Sequence, residues 1–115
     1  MLAVGLGAMV GANARYMVTF WSVQLWGARF PFGTMFINVL GSFLIGFIVG
    51  RFPLSEEARL FLVTGILGGF TTYSSFSFEC RQLCIEGQFG YFAAYMIGTV
   101  VLGLIGVFAG GWLAR

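Results

Sequence analysis

The sequence predicts an all-α membrane protein with four transmembrane helices, of which the third is broken, assembled as an antiparallel dual-topology homodimer. The chain of 115 residues is 59% hydrophobic and only 9% charged, whereas soluble domains carry about 25% charged residues. A membrane helix needs about 20 residues, so four spans with short connections nearly exhaust the chain. The third apolar stretch is interrupted by glycines and hydroxyl residues that weaken a helix.

One domain, residues 1–115, is expected, without a soluble part. The N-terminus lacks a basic n-region, so the first segment is expected to be a retained span and not a signal peptide. A net charge of +2 is too small to indicate a nucleic-acid partner. The predicted spans are residues 2–25, 32–50, 58–86 (broken near 68–72) and 91–112.

The first span contains a close-packing pair, Gly7 and Gly11, and one charged residue, Arg15. A central arginine costs at least ~2.5 kcal/mol on insertion scales, so it needs a buried acceptor or a water-filled vestibule. Two interpretations stay open. Arg15 is either an inward-facing cation that favours anions or lies near the end of a shorter helix that begins closer to Gly11.

The second span begins after Pro31, where the missing N–H does no harm, and is apolar except for one stripe. Thr34, Asn38 and Ser42 follow at i, i+4 and i+8 and therefore share a face. Such a stripe serves either to hydrogen-bond a neighbouring helix or to line a permeation track. Three aligned polar residues opposite a broken helix favour the track.

The third span, which Ser55 or a neighbour can cap, contains GILGGFTTYSSFSF over residues 65–78. We expect the helix to break at Gly68–Gly69 and to resume near Thr71. Non-helical backbone at membrane depth needs protein, a polar cavity or an ion to satisfy its hydrogen bonds. The alternative is a packed glycine hinge, which would not require five hydroxyl residues directly after it.

The fourth span carries a second stripe, Tyr95, Thr99 and Gly103, that is polar at two of three positions. The arginines do not favour one orientation of the four spans. One side would hold three arginines and the other two, and the positive-inside rule needs a clear excess. Insertion in both orientations and a two-fold antiparallel dimer are therefore expected.

The broken helix offers groups for ions of both signs. Free carbonyls around Gly68 suit a hard cation such as Na⁺, and N–H groups near Thr72 suit an anion. Two facing copies of the break are expected to trap one cation between them. The anion path would use donors only: the Asn38 amide, the hydroxyls of Thr34, Ser42, Ser75, Tyr95 and Thr99, and the ring edges of Tyr73 and Phe76.

Three segments carry a family resemblance: GANARY (11–16), GTMFINVLGSFLIG (33–46) and GGFTTYSSF (68–76). In this order the chain resembles the Fluc (CrcB) fluoride channels. The resemblance implies a dual-topology antiparallel homodimer with two fluoride pores and a central structural Na⁺.

It also implies roles for single residues. Asn38 would line the pore, Tyr73 and Phe76 would contact fluoride through their ring edges, and the carbonyls of Gly68 and Thr71 would hold Na⁺. A polar track would use Ser75, Tyr95 and Thr99. Two positions depart from the family pattern: Tyr73 adds a hydroxyl to the usual Phe, and Gly103 lacks a hydroxyl often found there.

We therefore predict a fluoride-selective passive channel, not an enzyme, that exports fluoride from the cytoplasm across the inner membrane as a multi-pass protein and so relieves fluoride toxicity. Its partners would be fluoride, a second copy, the lipid bilayer and one structural sodium ion. The alternative is a small multidrug-type proton-coupled exporter. That class needs a membrane-embedded acid, normally in the first span, where this chain has only Arg15.

Overall fold

The computed structural model describes all 115 residues, and the chain is helical without any strand. The elements are α1 (Leu2–Trp26), α2 (Phe32–Arg51), α3 (Glu56–Arg59), a π-helix (Leu60–Leu67), α4 (Gly68–Phe70), α5 (Tyr73–Ile85) and α6 (Phe89–Leu113). The α3, π-helix and α4 elements follow one another directly and form the first half-helix, and α5 is the second half-helix. The predicted all-α class is confirmed, and helix bounds differ from the predicted spans by at most two residues.

Two of the helices, α2 and α6, are long and apolar enough to cross a membrane. The α1 helix has 25 residues, but its polar positions at Asn13 and Arg15 lower its hydropathy. The third segment is divided by the break. Only 16 of 115 residues are buried within the single chain. Large apolar side chains such as Phe108 and Trp112, which are 75% and 69% exposed, face outward, as expected where lipid or a partner covers them.

The helices pack as two close pairs: α1 lies against the first half-helix, and α2 lies against α6. A Cβ atom on Gly7 would lie 2.9 Å from the Cα of Gly65, and one on Gly110 would lie 2.9 Å from the backbone nitrogen of Phe47. Both pairs therefore depend on glycine where the backbones meet, which is how small residues act in membrane helices.

The helix ends follow local sequence signals. The Ser55 hydroxyl accepts a hydrogen bond from the Ala58 N–H at 3.2 Å and caps α3, as predicted. Gly27 after α1 and Gly87 after α5 have φ of 79° and 73°, a region that glycine enters without steric cost. These turns bring the ends of α1 and α2 together, and those of α5 and α6.

Candidate functional site

The break in the third segment consists of two extended residues, Thr71 (φ −81°, ψ 157°) and Thr72 (φ −152°, ψ 120°). The expectation that the helix breaks at Gly68–Gly69 and resumes near Thr71 is wrong, because both glycines are helical and the helix resumes at Tyr73. Gly69 is needed for packing instead. A Cβ there would lie 2.8 Å from the carbonyl oxygen of Ala8 on α1.

Asn38 on α2 closes the break with its side-chain amide. Its Nδ2 donates to the Thr72 carbonyl at 2.9 Å, and its Oδ1 accepts from the Thr72 N–H at 2.8 Å. One side chain thus satisfies both backbone groups of a residue that has no helical partner, as buried backbone requires. The sequence left two roles open for the Asn38 stripe, hydrogen bonding to a neighbouring helix or lining a permeation track, and did not indicate that the Asn38 partner is the Thr72 backbone.

Arg15 on α1 contacts the first half-helix just before the break. Its Nε donates to the carbonyl oxygen of Gly69 at 3.1 Å, so a cationic side chain covers the negative end of the first half-helix. The interpretation of a shorter helix starting near Gly11 is wrong, since α1 runs without interruption from Leu2. Arg15 lies in mid-helix, and its partly buried guanidinium has a backbone acceptor on the neighbouring half-helix.

The carbonyl oxygens predicted to hold Na⁺ have lost their usual helical donors. The Thr72 N–H would reach the Gly68 oxygen in a continuous helix but donates to Asn38. The Ser75 N–H would reach the Thr71 oxygen but donates to the Thr72 hydroxyl at 3.2 Å. No backbone or side-chain donor of the chain bonds the Thr71 oxygen. These oxygens retain lone pairs for a hard cation.

Ser75, a predicted pore residue, lies in the cap of the second half-helix. Thr72 is the N-cap of α5, and its hydroxyl also donates to the Ser75 hydroxyl oxygen at 3.2 Å. In this bond the Ser75 oxygen accepts, so the Ser75 proton is not used by the cap. The predicted N–H-rich start of the second half-helix is therefore capped by hydroxyls.

Glu79 is the functional candidate that sequence reasoning missed. The Thr34 hydroxyl donates to Oε2 at 3.0 Å and the Tyr95 hydroxyl donates to Oε1 at 2.9 Å. Two predicted anion donors therefore converge on a carboxylate. The signal was the spacing from Ser75, because residues four apart share a helix face, but Glu79 was treated as a residue near a span end.

The predicted aromatic residues form a row of rings from the break towards Tyr95. The centroids of Tyr73 and Phe76 are 6.0 Å apart, and those of Phe76 and Tyr95 are 5.2 Å apart, with interplanar angles of 49° and 56°. Tyr73 is 80% exposed at the surface of the single chain, whereas Tyr95 is fully buried. Tilted rings present edges, which carry partial positive charge.

Three cavities surround the break. The break cavity, about 440 Å³, is lined by Asn38, Thr72 and Phe76 among others. The Glu79 cavity, about 280 Å³, shares Thr72 with it and extends to Glu79. The Gly103 cavity, about 400 Å³, shares Asn38 with the break cavity and extends along α2 and α6 to Gly103.

The cavities are polar where the predicted site residues line them. Thr99 borders the break and Gly103 cavities; it is buried, and its hydroxyl has no hydrogen-bond partner in the chain. Tyr95 alone among the predicted residues lines none of the three and reaches the Glu79 cavity through its bond to Glu79. The break cavity also contains Gly68, Thr71 and Tyr73, and the Glu79 cavity contains Arg15, Thr34 and Ser75.

These features define a small all-helical membrane protein with an interrupted helix, at which Asn38 satisfies both backbone groups of Thr72 and cavities border the break. Comparison with known proteins specifies the class further. A family model described as CrcB-like protein, Camphor Resistance (CrcB), matches residues 2–111. The chain belongs to the CrcB-like family.

Curated relatives match over nearly their whole length. The chain is 48% identical over 118 aligned positions to the protein named Fluoride-specific ion channel FluC of Roseiflexus sp. (strain RS-1), covering 99% of this chain and 95% of the relative. It is 47% identical to the protein of the same name from Chloroflexus aurantiacus (strain J-10-fl), covering 99% and 94%. A similarly named protein of Agrobacterium fabrum is 47% identical, covering 97% and 93%.

Proposed function

We propose that this chain forms a fluoride-selective passive ion channel, and is not an enzyme, in the inner cell membrane. It would cross the membrane several times and release fluoride from the cytoplasm. The observation that carries the proposal is the interrupted helix at Thr71–Thr72, which Asn38 holds and where two cavities share Thr72 as a lining residue. The naming of full-length relatives as fluoride-specific ion channels supports the choice of ion.

The proposed path runs through the three cavities. Fluoride would exchange water for the unpartnered Thr99 hydroxyl, the second Nδ2 proton of Asn38, and the ring edges of Phe76 and Tyr73. It would then pass to the Ser75 hydroxyl at the Glu79 cavity, where the Thr34 and Tyr95 hydroxyls can donate to it only by leaving Glu79. Each contact is a weak or neutral donor, so a small anion can bind and still leave. Arg15 lies at this second cavity, where its charge favours entry of an anion.

A second copy of the chain is part of the proposal. In the single chain, Gly68, whose carbonyl lacks its helical donor, is exposed and Tyr73 is 80% exposed, which would place an unpaired carbonyl and a polar hydroxyl against lipid. That arrangement is costly, because lipid offers the backbone no hydrogen bonds. An antiparallel partner would cover the break with its own break. The nearly even distribution of arginines supports insertion in both orientations.

A structural sodium ion fits the same surface. The carbonyl oxygens of Gly68 and Thr71 lack their helical donors, and oxygen ligands suit a hard cation. One chain offers too few oxygens for a full shell, so two facing breaks would share the ion. Bound there, Na⁺ would supply a fixed positive charge that holds four carbonyl dipoles together.

The alternative predicted from sequence, a small multidrug-type proton-coupled exporter, is not supported. α1 contains no carboxylate, and its single charge donates to the Gly69 carbonyl. The carboxylate that does lie among the helices, Glu79, is occupied by two hydroxyl donors.

The test is flux from liposomes that contain the purified protein. Vesicles loaded with fluoride are given a potassium ionophore, and external fluoride is followed with an ion-selective electrode. We expect passive fluoride efflux and negligible chloride efflux from matched vesicles. Absence of fluoride efflux, or equal chloride flux, would contradict the proposal. Replacing Na⁺ by a large organic cation throughout purification is expected to weaken the dimer and lower the flux.

A further inference from the structure

Ser42, one of the hydroxyls that the sequence offers to the anion path, lies one helical turn after Asn38 on α2 and has no part in the path proposed above. It lines both the break cavity and the Gly103 cavity, as Asn38 and Thr99 do. Its hydroxyl donates to the carbonyl oxygen of Asn38 at 2.8 Å, a bond within its own helix. A serine in an apolar helix often makes this bond without further purpose, so a second observation must decide its role.

The surface opposite Ser42 is open. A Cβ built on Gly103 of α6 would lie 3.6 Å from the Ser42 Oγ, with no other atom of a neighbouring residue within 4 Å. The polar stripe of α6 ends at this level, since Thr99 is followed one turn later by a residue without a side chain. The stripe of α2 continues at the same level with the Ser42 hydroxyl. Ser42 is thus the hydroxyl that borders the Gly103 end of the path.

Thr99 gives independent evidence that a ligand occupies this part of the cavity. Its hydroxyl is buried and has no partner in the chain, although it borders the same two cavities as Ser42. A buried hydroxyl without a partner is costly, and here the cost is relieved by whatever fills the cavity. A small anion or water beside Thr99 would enter cavities that Ser42 also lines.

We propose that Ser42 is a further pore residue, whose hydroxyl turns from the Asn38 carbonyl to donate to fluoride as the ion passes between Asn38 and Gly103. A rotation about one side-chain bond suffices, because the serine hydroxyl has staggered alternatives. The Asn38 carbonyl keeps its helical backbone bond when the hydroxyl leaves. Ser42 thereby supplies from α2 the donor that Gly103 does not supply from α6. The inference rests on the proposed fluoride conduction.

The experiment moves the hydroxyl from one helix to the other. Fluoride efflux from liposomes is measured for Ser42→Ala, Ser42→Thr and the double variant Ser42→Ala with Gly103→Ser. We expect Ser42→Ala to lower the rate about tenfold, the effect of losing one hydrogen bond to a charged group. Ser42→Thr should keep most of the rate. The double variant should recover it, because the new Ser side chain starts 3.6 Å from the lost hydroxyl.

Ser22→Ala is the matched control, since the Ser22 hydroxyl also donates to a carbonyl of its own helix, that of Thr19 at 2.9 Å. A normal rate for Ser42→Ala would overturn the inference while wild-type efflux upheld the channel. The inference would also be overturned if Ser42→Ala lowered the efflux rate but neither Ser42→Thr nor the double variant had a higher rate than Ser42→Ala. Equal slowing by Ser42→Ala and Ser22→Ala would overturn it too. Absence of wild-type efflux would refute the proposed function itself.

Discussion

Replacing Asn38 by Leu removes the amide that closes the break but keeps the branched outline of the side chain. The two hydrogen bonds to Thr72, at 2.9 and 2.8 Å, are lost together. A buried donor or acceptor left without a partner costs about 1–3 kcal/mol. The free energy of unfolding should therefore fall by about 2–6 kcal/mol, a large part of the ~5–15 kcal/mol typical of proteins.

The stability of Asn38→Leu is measured by denaturant unfolding in detergent micelles, followed by circular dichroism, and its activity by fluoride efflux. We expect both to fall, with efflux below about a tenth of wild type because the misplaced break changes both neighbouring cavities. Asn38→Asp tests the two hydrogen bonds to the Thr72 backbone separately. It can still accept from the Thr72 N–H but loses the donor to the Thr72 carbonyl, so a loss of about 1–3 kcal/mol is expected.

The matched control is Asn13→Leu on α1. The Asn13 amide donates to a carbonyl of its own helix, that of Met9 at 2.7 Å, on an exposed face. Surface substitutions usually change stability by less than about 0.5 kcal/mol, and this variant should do the same. If Asn38→Leu were as stable as Asn13→Leu, the Asn38 amide would not be what holds the break, and the reasoning would be refuted.

Three further predictions use efflux and unfolding measurements. Phe76→Ile keeps the bulk but removes the ring edge, so fluoride efflux should slow while size-exclusion chromatography still shows the assembled protein; normal efflux would contradict the assigned contact. Gly7→Ala should destabilise the protein by about 1–3 kcal/mol, because the added methyl group overpacks the contact with the first half-helix. Gly5→Ala should not, because a Cβ at Gly5 has no neighbouring atom within 4 Å. Equal stability of the two variants would refute the packing argument. Arg15→Met should lower the free energy of unfolding by about 1–3 kcal/mol, because the Gly69 carbonyl loses its donor. Arg81→Met, at an exposed position, should leave the free energy of unfolding unchanged. An unchanged free energy of unfolding for Arg15→Met would show that water replaces the guanidinium.

The helices could be predicted from sequence because hydropathy and turn residues act locally. Pro31, Gly27 and Gly87 mark the ends of long apolar runs, and the predicted bounds agree with the structure within two residues. The location of the break could only be approximated. Paired glycines weaken a helix in general, but Gly69 is held helical by its contact with α1, a tertiary effect that no local pattern contains.

The partners of the polar residues could not be predicted, because each joins helices distant in sequence. Spacing placed Thr34 and Asn38 on one face of α2, but it did not indicate that the first reaches Glu79 and the second reaches Thr72. The position of Arg15 in the first span predicted an acceptor for its charge. That acceptor is the carbonyl oxygen of Gly69, and the sequence does not distinguish one backbone oxygen from another. Periodicity gives the face of a helix, whereas the identity of the neighbour depends on how the helices pack.

The pairing of the helices has a consequence for biosynthesis. Neither close pair is consecutive in the chain, since α1 packs on the first half-helix and α2 packs on α6. While the ribosome is still translating the second half, the amide of Asn38 and the guanidinium of Arg15 are already in the nascent chain and lack their acceptors. These acceptors arrive with Gly69 and Thr72, whereas α2 stays without its main packing partner until α6 has been made. A chain that ends before α6 should consequently keep α1 packed on the first half-helix but leave the face of α2 that α6 covers without a partner.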